Sequence, residues 1–359
     1  RSVERKSCLE REKMAAVEHI PKSRLMPVYV DDEVADYTNH PTRCLSALKP
    51  FPSTSIQHLE VTNNRLTSIH ECIAQFQNLK ILIFRCNLIR KIEHLSTLTK
   101  LEDLSLYENR LEGPDHLYDL PALPNLKKLD LSFNDLRAIA LCEGETEASW
   151  AKGLPSLEEL YFVNCKLSLV EEGALKPLAG SLLELELGSN RLKNTSGVSP
   201  LVNLRKLWLG RNKITTVVGL DTLVNLTSLD LQSNRIVELT GLDGLVNLQE
   251  LYLASNGIKE LSPTVFQHLE KLEVLDVSRN FLETLNPATF APLTRLRDFW
   301  CSQNLLENPR APEVLQVAPN IETVYFEHNP FSKDASYRAR LLAQLPTLIQ
   351  IDATAVTNR

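Results

Sequence analysis

Nine residues recur at intervals of 22 to 31 positions and alternate carboxylate with aromatic ring over most of their length: Asp130, Tyr161, Glu186, Trp208, Asp230, Tyr252, Asp276, Trp300 and Tyr325. Each stands between two apolar neighbours, as Trp208 does between Leu207 and Leu209, and Asp298 adds a further carboxylate two residues before Trp300. The chemistry such a set can do is recognition. A Tyr or Trp ring has about 150–250 Å² to bury, aromatic side chains dominate the binding energy of protein interfaces, and carboxylates between them select a surface bearing Lys and Arg.

Covalent and metal chemistry find no comparable support. The eight histidines form no H-x-H or H-E-x-x-H, the seven cysteines form no C-x-x-C, and neither the phosphate-cradling G-x-x-x-x-G-K-[ST] loop nor G-x-G-x-x-G occurs. No serine lies in a nucleophile elbow. The expectation is a non-enzyme with no metal and no cofactor.

A row spaced this way requires a repeating element to position it. Leu201-Val-Asn-Leu204, Leu223-Val-Asn-Leu226 and Leu245-Val-Asn-Leu248 begin three nearly identical lines 22 residues apart, each reading L-x-x-L-x-L-x-x-N-x-I. The alternation in Leu207-Trp208-Leu209 has the period of two that marks a strand with one buried face, so Trp208 points away from the core. After the asparagine the apolar spacing changes to three, suited to a short 3₁₀-like return. One such coil cannot bury its leucines alone, so coils must stack with their strands side by side. This is a leucine-rich repeat.

The ninth position of the line fixes the register at Asn64, Asn87, Asn109, Asn134, Cys165, Asn190, Asn212, Asn234, Asn256, Asn280, Asn304 and Asn329, which predicts about twelve coils. The asparagines are read as architecture, their amides satisfying backbone groups inside the stack. Cys165 is read as a small buried replacement. The fold class is therefore α/β, a leucine-rich-repeat solenoid of horseshoe form with a parallel concave sheet, and nine outward residues at about 4.8 Å per strand would line roughly 38 Å of it.

Taken in order, residues 1–35 mix charges of both signs and are read as a flexible tail, 36–55 as an N-terminal cap, 56–331 as the solenoid, and 332–359 as a C-terminal cap with a helix from Ser332 to Gln344. The 31-residue gap between Asn134 and Cys165 contains Cys142-Glu-Gly-Glu-Thr-Glu-Ala-Ser-Trp150, read as a solvated acidic loop. Phe266 and Phe290 replace leucines in longer coils and are assigned to the core. Whether residues 1–13 are native is left open, since the chain starts before Met14.

The net charge of −6 and pI near 5.8 disfavour nucleic acid as a partner. Scattered cysteines, odd in number, suggest a reducing compartment, and the absence of a long apolar run or signal-like start suggests a soluble intracellular chain with no membrane partner.

Leu185-Glu-Leu-Gly-Ser-Asn190, Leu229-Asp-Leu-Gln-Ser-Asn234, Asn304-Leu-Leu-Glu307 and above all Ile321-Glu-Thr-Val-Tyr-Phe-Glu-His-Asn-Pro330 through Gln350-Ile-Asp-Ala-Thr354 resemble the leucine-rich-repeat regulatory subunits of protein phosphatase 1, the regulatory subunit 7 family. The likeness covers roughly residues 36–354. It implies a non-catalytic protein of nucleus and cytoplasm, monomeric when free, that binds the phosphatase catalytic subunit through its concave face, with a further inhibitor subunit as an additional partner. It also implies contacts by Asp130, Tyr161, Glu186, Trp208, Asp276, Asp298, Trp300 and Tyr325. Tyr161 and Trp208 stand where the family has Phe, and Asp298 where it has Glu. Asp230 and Tyr252 join the set from the periodicity alone. The competing reading is a general scaffold of cytoskeletal or ciliary assembly built on the same repeat.

Overall fold

The computed structural model describes residues 29–30, 33–39, 55–113, 120–141 and 149–356. The described residues divide into two compact units, the first running up to Lys166 and the second from Leu167 onward.

In the first unit β1 (Tyr29–Val30), β2 (Val34–Asp36), β3 (His58–Glu60), β4 (Ile81–Ile83), β5 (Asp103–Ser105) and β6 (Lys128–Asp130) precede β7 (Ala138–Ile139) and β8 (Glu159–Tyr161). β1 pairs antiparallel with β2; from β2 onward the sheet is parallel, with β8 beside β6 and β7 outside it. The second unit begins with β9 (Leu169–Val170). Then come β10 (Glu184–Glu186), β11 (Lys206–Trp208), β12 (Ser228–Asp230), β13 (Glu250–Tyr252), β14 (Val274–Asp276), β15 (Asp298–Trp300), β16 (Thr323–Tyr325), β17 (Gln350–Ile351) and β18 (Thr354–Ala355). β10 to β17 are parallel neighbours in that order, and β18 closes the edge antiparallel to β17.

Each main repeat strand is only three residues long because its sequence alternates outward, inward, outward before a turn. The inward residue is the column on which the stack is built: Leu185, Leu207, Leu229, Leu251, Leu275, Phe299, Val324 and Ile351 lie in register and are fully buried. Parallel neighbours need a long return connection, and the coil's 3₁₀ segments and turns supply it. The chain leaves each strand through a left-handed residue just before the ladder position, such as Ser189, Arg211, Ser233, Ser255 and Arg279, with φ between 54 and 59°. This corner directs the following asparagine inward.

The asparagines then join coil to coil. Asn212 accepts the N–H of Leu192 at 3.0 Å and donates from Nδ2 to the carbonyls of Leu187 at 2.9 Å and Leu209 at 3.0 Å. Asn87 does the same in the first unit with Leu66, Val61 and Phe84. Cys165 occupies a ladder position with no exposure and its thiol reaches the Leu131 carbonyl at 3.2 Å, while burial pushes the thiol up to about 12, so it is unreactive at neutral pH.

Phe266 and Phe290 are both fully buried and open a column of edge-to-face rings, Phe266, Phe290, Phe299, Phe326, Phe331 and Tyr337, with successive centroids 5.4–6.4 Å apart. This column carries the core into the terminal segment, where Tyr337 donates to Asp352 at 3.1 Å and Arg338 donates to the carbonyls of Ile351, Thr354 and Ala355.

Three expectations require correction. The terminal helix spans Tyr337–Gln344 rather than starting at Ser332, because Pro330–Lys333 forms a separate 3₁₀ turn. Trp150, assigned to a solvated loop, is 2% exposed in the short helix Ser149–Lys152; the rest of that acidic segment, 142–148, lies outside the described residues. The sheet begins before residue 36, since Val34–Asp36 pairs in register with His58–Glu60 and buries Ala35. The remainder of the assigned tail, 1–28 and 31–32, and most of the assigned N-terminal cap, 40–54, lie outside the described residues.

Candidate functional site: the strand face of the second unit

Register places seven of the predicted residues in a single row. Glu186 pairs with Trp208, Trp208 with Asp230, Asp230 with Tyr252, Tyr252 with Asp276, Asp276 with Trp300 and Trp300 with Tyr325. Six strand spacings give a row about 29 Å long. Asp298 belongs to the adjacent row, level with Val274 and Thr323. Asp130 and Tyr161 form a pair of their own on β6 and β8 of the first unit.

The row is less open than alternation alone implies. Its members are half-buried, and Asp276 is only 6% exposed, as Asp130 is only 7% exposed in the first unit. Each of these carboxylates is drawn back onto its own chain two residues on. Glu186 accepts the N–H of Gly188 at 2.6 Å, Asp230 that of Gln232 at 2.7 Å, Asp276 that of Ser278 at 2.8 Å and Asp130 that of Ser132 at 3.0 Å. The acid therefore satisfies a backbone donor where the strand ends, a structural duty that strand alternation alone does not reveal. Space for it is made by glycine: a Cβ at Gly210 would lie 2.9 Å from the Asp230 carboxylate.

The rings account for the rest of the cover. Tyr252 and Trp300 flank Asp276 on the neighbouring strands, yet their centroids are only 6.3 Å apart, so they lean toward each other across the strand that carries it. Trp300 also meets Tyr325 edge to face at 6.0 Å. Tyr325 is fixed in turn, its hydroxyl accepting from Gln350 at 2.6 Å. The Trp300 Nε1–H is buried and has no hydrogen-bond partner among the described residues. Trp208 has Lys206 Nζ 5.9 Å from its ring, and Lys206 bridges to Glu184 at 2.8 Å.

Loss of solvent is the main influence on the acids. Desolvation pushes Glu186 up to about 7 against the opposing Gly188 N–H, and holds Asp230 and Asp276 above the usual carboxylate range. Tyr252 is raised first by burial and then by Glu250, Asp230, Asp276 and Asp298 around it. The face is thus an aromatic surface with partly desolvated carboxylates beneath and between the rings. A cation placed there would meet poorly solvated anions and π-faces together.

In the first unit Tyr161 is engaged within the chain. Its hydroxyl donates to Glu159 at 2.7 Å, and Lys128 Nζ stands 5.1 Å from its ring while bridging Glu159 at 3.0 Å. Among the described residues no group of three or more His, Cys, Asp or Glu is arranged to hold a metal, and no helix is long and apolar enough to cross a membrane.

A second asparagine series went unassigned in the sequence, although the repeated L-V-N-L lines display it. Asn203, Asn225 and Asn247 donate from Nδ2 to the carbonyls of Gly180, Val202 and Val224 at 2.8–3.0 Å, tying coils together at the strand-entry edge.

Family models described as leucine rich repeat match residues 246–306 and 122–139, and a two-copy leucine-rich-repeat model matches 202–245. Among curated relatives, a protein phosphatase 1 regulatory inhibitor subunit PPP1R7 homolog of Arabidopsis thaliana is 33% identical over 181 residues, covering 49% of this chain and 50% of that protein. Protein phosphatase 1 regulatory subunit 7 of Homo sapiens is 50% identical over 42 residues, 12% of either chain. The alpha subunit of geranylgeranyl transferase type-2 from Sus scrofa is 31% identical over 106 residues, 29% of this chain and 18% of that one. The matched stretch thus spans about half the length of the first of these relatives and far less of the others. Among solved structures, a leucine-rich-repeat protein of Leptospira interrogans aligns with TM-score 0.62 and 25% identity, covering 85% of this chain and 81% of that one. An internalin of Listeria monocytogenes aligns with TM-score 0.61 and 22% identity, covering 87% and 92%.

Proposed function

We propose that this leucine-rich-repeat protein, a relative of the regulatory subunits of protein phosphatase 1, is itself a non-catalytic subunit that binds the phosphatase catalytic subunit through the strand face of its repeats. The observation that carries the reading is the single register row of Glu186, Trp208, Asp230, Tyr252, Asp276, Trp300 and Tyr325. Aromatic side chains in a half-buried, pre-packed row lose little conformational freedom on binding, which is the property that makes them anchors. The partner's Lys and Arg would exchange water for the carboxylates and rings of this face.

Regulation on this reading is steric and electrostatic. The metal chemistry of dephosphorylation stays with the partner, and the repeat protein controls access, assembly or delivery. A third inhibitor subunit and a distribution over nucleus and cytoplasm belong to the same proposal, as does a monomeric free state. Copurification of the full chain from lysate, followed by calorimetry with the isolated catalytic subunit, tests it. Saturable one-to-one binding that Trp300→Ala weakens supports the reading. Recovery of tubulin-associated or axonemal proteins without phosphatase would favour the scaffold instead.

A further inference from the structure

The second unit repeats a surface as well as a core. Val202, Val224 and Val246 occupy the same point of three successive coils and are 44, 43 and 43% exposed. A lone exposed valine needs no explanation. These three are held in line, because the Asn225 amide donates to the carbonyl of Val202 at 3.0 Å and the Asn247 amide to that of Val224 at 2.8 Å.

Asn203, Asn225 and Asn247, each the next residue after one of these valines, line an open groove of about 870 Å³ at the entry ends of β11, β12 and β13, together with Glu184, Arg205, Lys206 and Lys271. Three of its lining residues are cationic and one is a carboxylate, within a chain whose formal charge is −6. The sole acid, Glu184, is bridged to Lys206, and Lys271 is fixed by donating to the Asn247 side chain at 2.6 Å. Arg205 is exposed, while its carbonyl accepts from the backbone of Thr227 and Ser228 and so anchors its position in the edge.

We propose that this groove docks an extended, acidic segment of a partner protein, with aliphatic side chains on the ridge formed by Val202, Val224 and Val246 and carboxylates against Arg205, Lys206 and Lys271. The charge preference is opposite to that of the aromatic row, so one coil stack offers two surfaces of different sign, and this proposal stands whether or not the phosphatase reading does. Three cations are few for a phosphate backbone and the groove carries no aromatic ring on which bases could stack, which favours a peptide over nucleic acid.

The test is selection of random twelve-residue peptides on the full chain, followed by fluorescence anisotropy of the recovered peptides. Two variants with unchanged melting curves serve as comparisons: Val224→Ser with Val246→Ser, and Arg205→Glu with Lys271→Glu. Recovered peptides rich in Asp, Glu and aliphatic residues are expected to bind less tightly at high salt and at least tenfold less tightly to either variant. Trp300→Ala with Tyr325→Ala should leave that binding intact. Should the valine variant fail to fold, the charge variant, confined to exposed side chains, decides alone. Recovered peptides that are neutral or basic, affinity unchanged by the charge reversal, or affinity lost only with the aromatic variant would each overturn the proposal. A dimer of the chain abolished by Val224→Ser with Val246→Ser would also overturn it, by giving the groove to a second copy.

Discussion

Glu186→Gln separates the burial of a charge from the hydrogen bond that the same side chain makes. Burial raises this carboxyl from 4.5 to about 7, the Asp230 charge adds to the rise, and the Gly188 N–H opposes it. A folded-state value above the unfolded one means that the folded protein holds more protons between pH 4.5 and 7, so stability falls as pH rises through that window and the full penalty applies above it. The gap between 4.5 and about 7 corresponds to about 3 kcal/mol, a ceiling for a side chain that retains some solvent. Glutamine keeps an oxygen for the Gly188 N–H at the 2.6 Å position and removes the charge. The variant should therefore be about 1–3 kcal/mol more stable than the parent at pH 8 and equal to it at pH 4. Urea unfolding followed by circular dichroism at several pH values reads the difference directly. A stability gap that does not change with pH, or a parent chain more stable than the variant at pH 8, would refute the argument that desolvation governs this row.

The same carboxyl predicts proton release on partner binding: if a Lys or Arg restores its ordinary acidity, a net release of protons should accompany binding near pH 6.5, measurable as a dependence of calorimetric heat on buffer ionisation. Trp300→Ala removes a ring that touches both Tyr252 and Tyr325 and, on the proposed function, should weaken phosphatase binding by about 2 kcal/mol or more, with Tyr325→Ala adding to the loss; unchanged affinity would remove the row from the interface. Asn256→Ala strips the acceptor from the Ile236 N–H and the donor from the Leu231 and Leu253 carbonyls, and should cost about 2–4 kcal/mol in denaturant titration. Gly244→Ala would put a methyl group 2.0 Å from the Asp221 carbonyl oxygen, so a lowered melting temperature is expected even though the residue lies in a turn.

The legible part of this protein is the part that repeats. A 22-residue period, a leucine alternation and an asparagine at all but one ninth position are local statements, and they determined the coil, its strand, the inward column at Leu207, Leu229 and Leu251, and the pairing of Trp208 with Asp230 and of Asp230 with Tyr252. Register follows because every coil makes the same local choices, leaving its neighbour one way to match them. Residues that depart from the repeat are less legible. Trp150 sat among acids in sequence and is buried in space, and the terminal helix yielded its first turn to the 3₁₀ segment at Pro330.

Burial along the outward row was decided only by tertiary structure. Outward on a strand means away from the leucine core, but not toward water, since side chains on adjacent strands are about 4.8 Å apart and large rings reach across that distance. Asp276 lies low because Tyr252 and Trp300, 24 residues before and after it, converge beside it. Each acid's bond to the backbone two residues on likewise depends on the turn geometry at the strand's end. The sequence by itself established which residues share the face; the folded neighbours set how much solvent each keeps and therefore how strongly its charge is held.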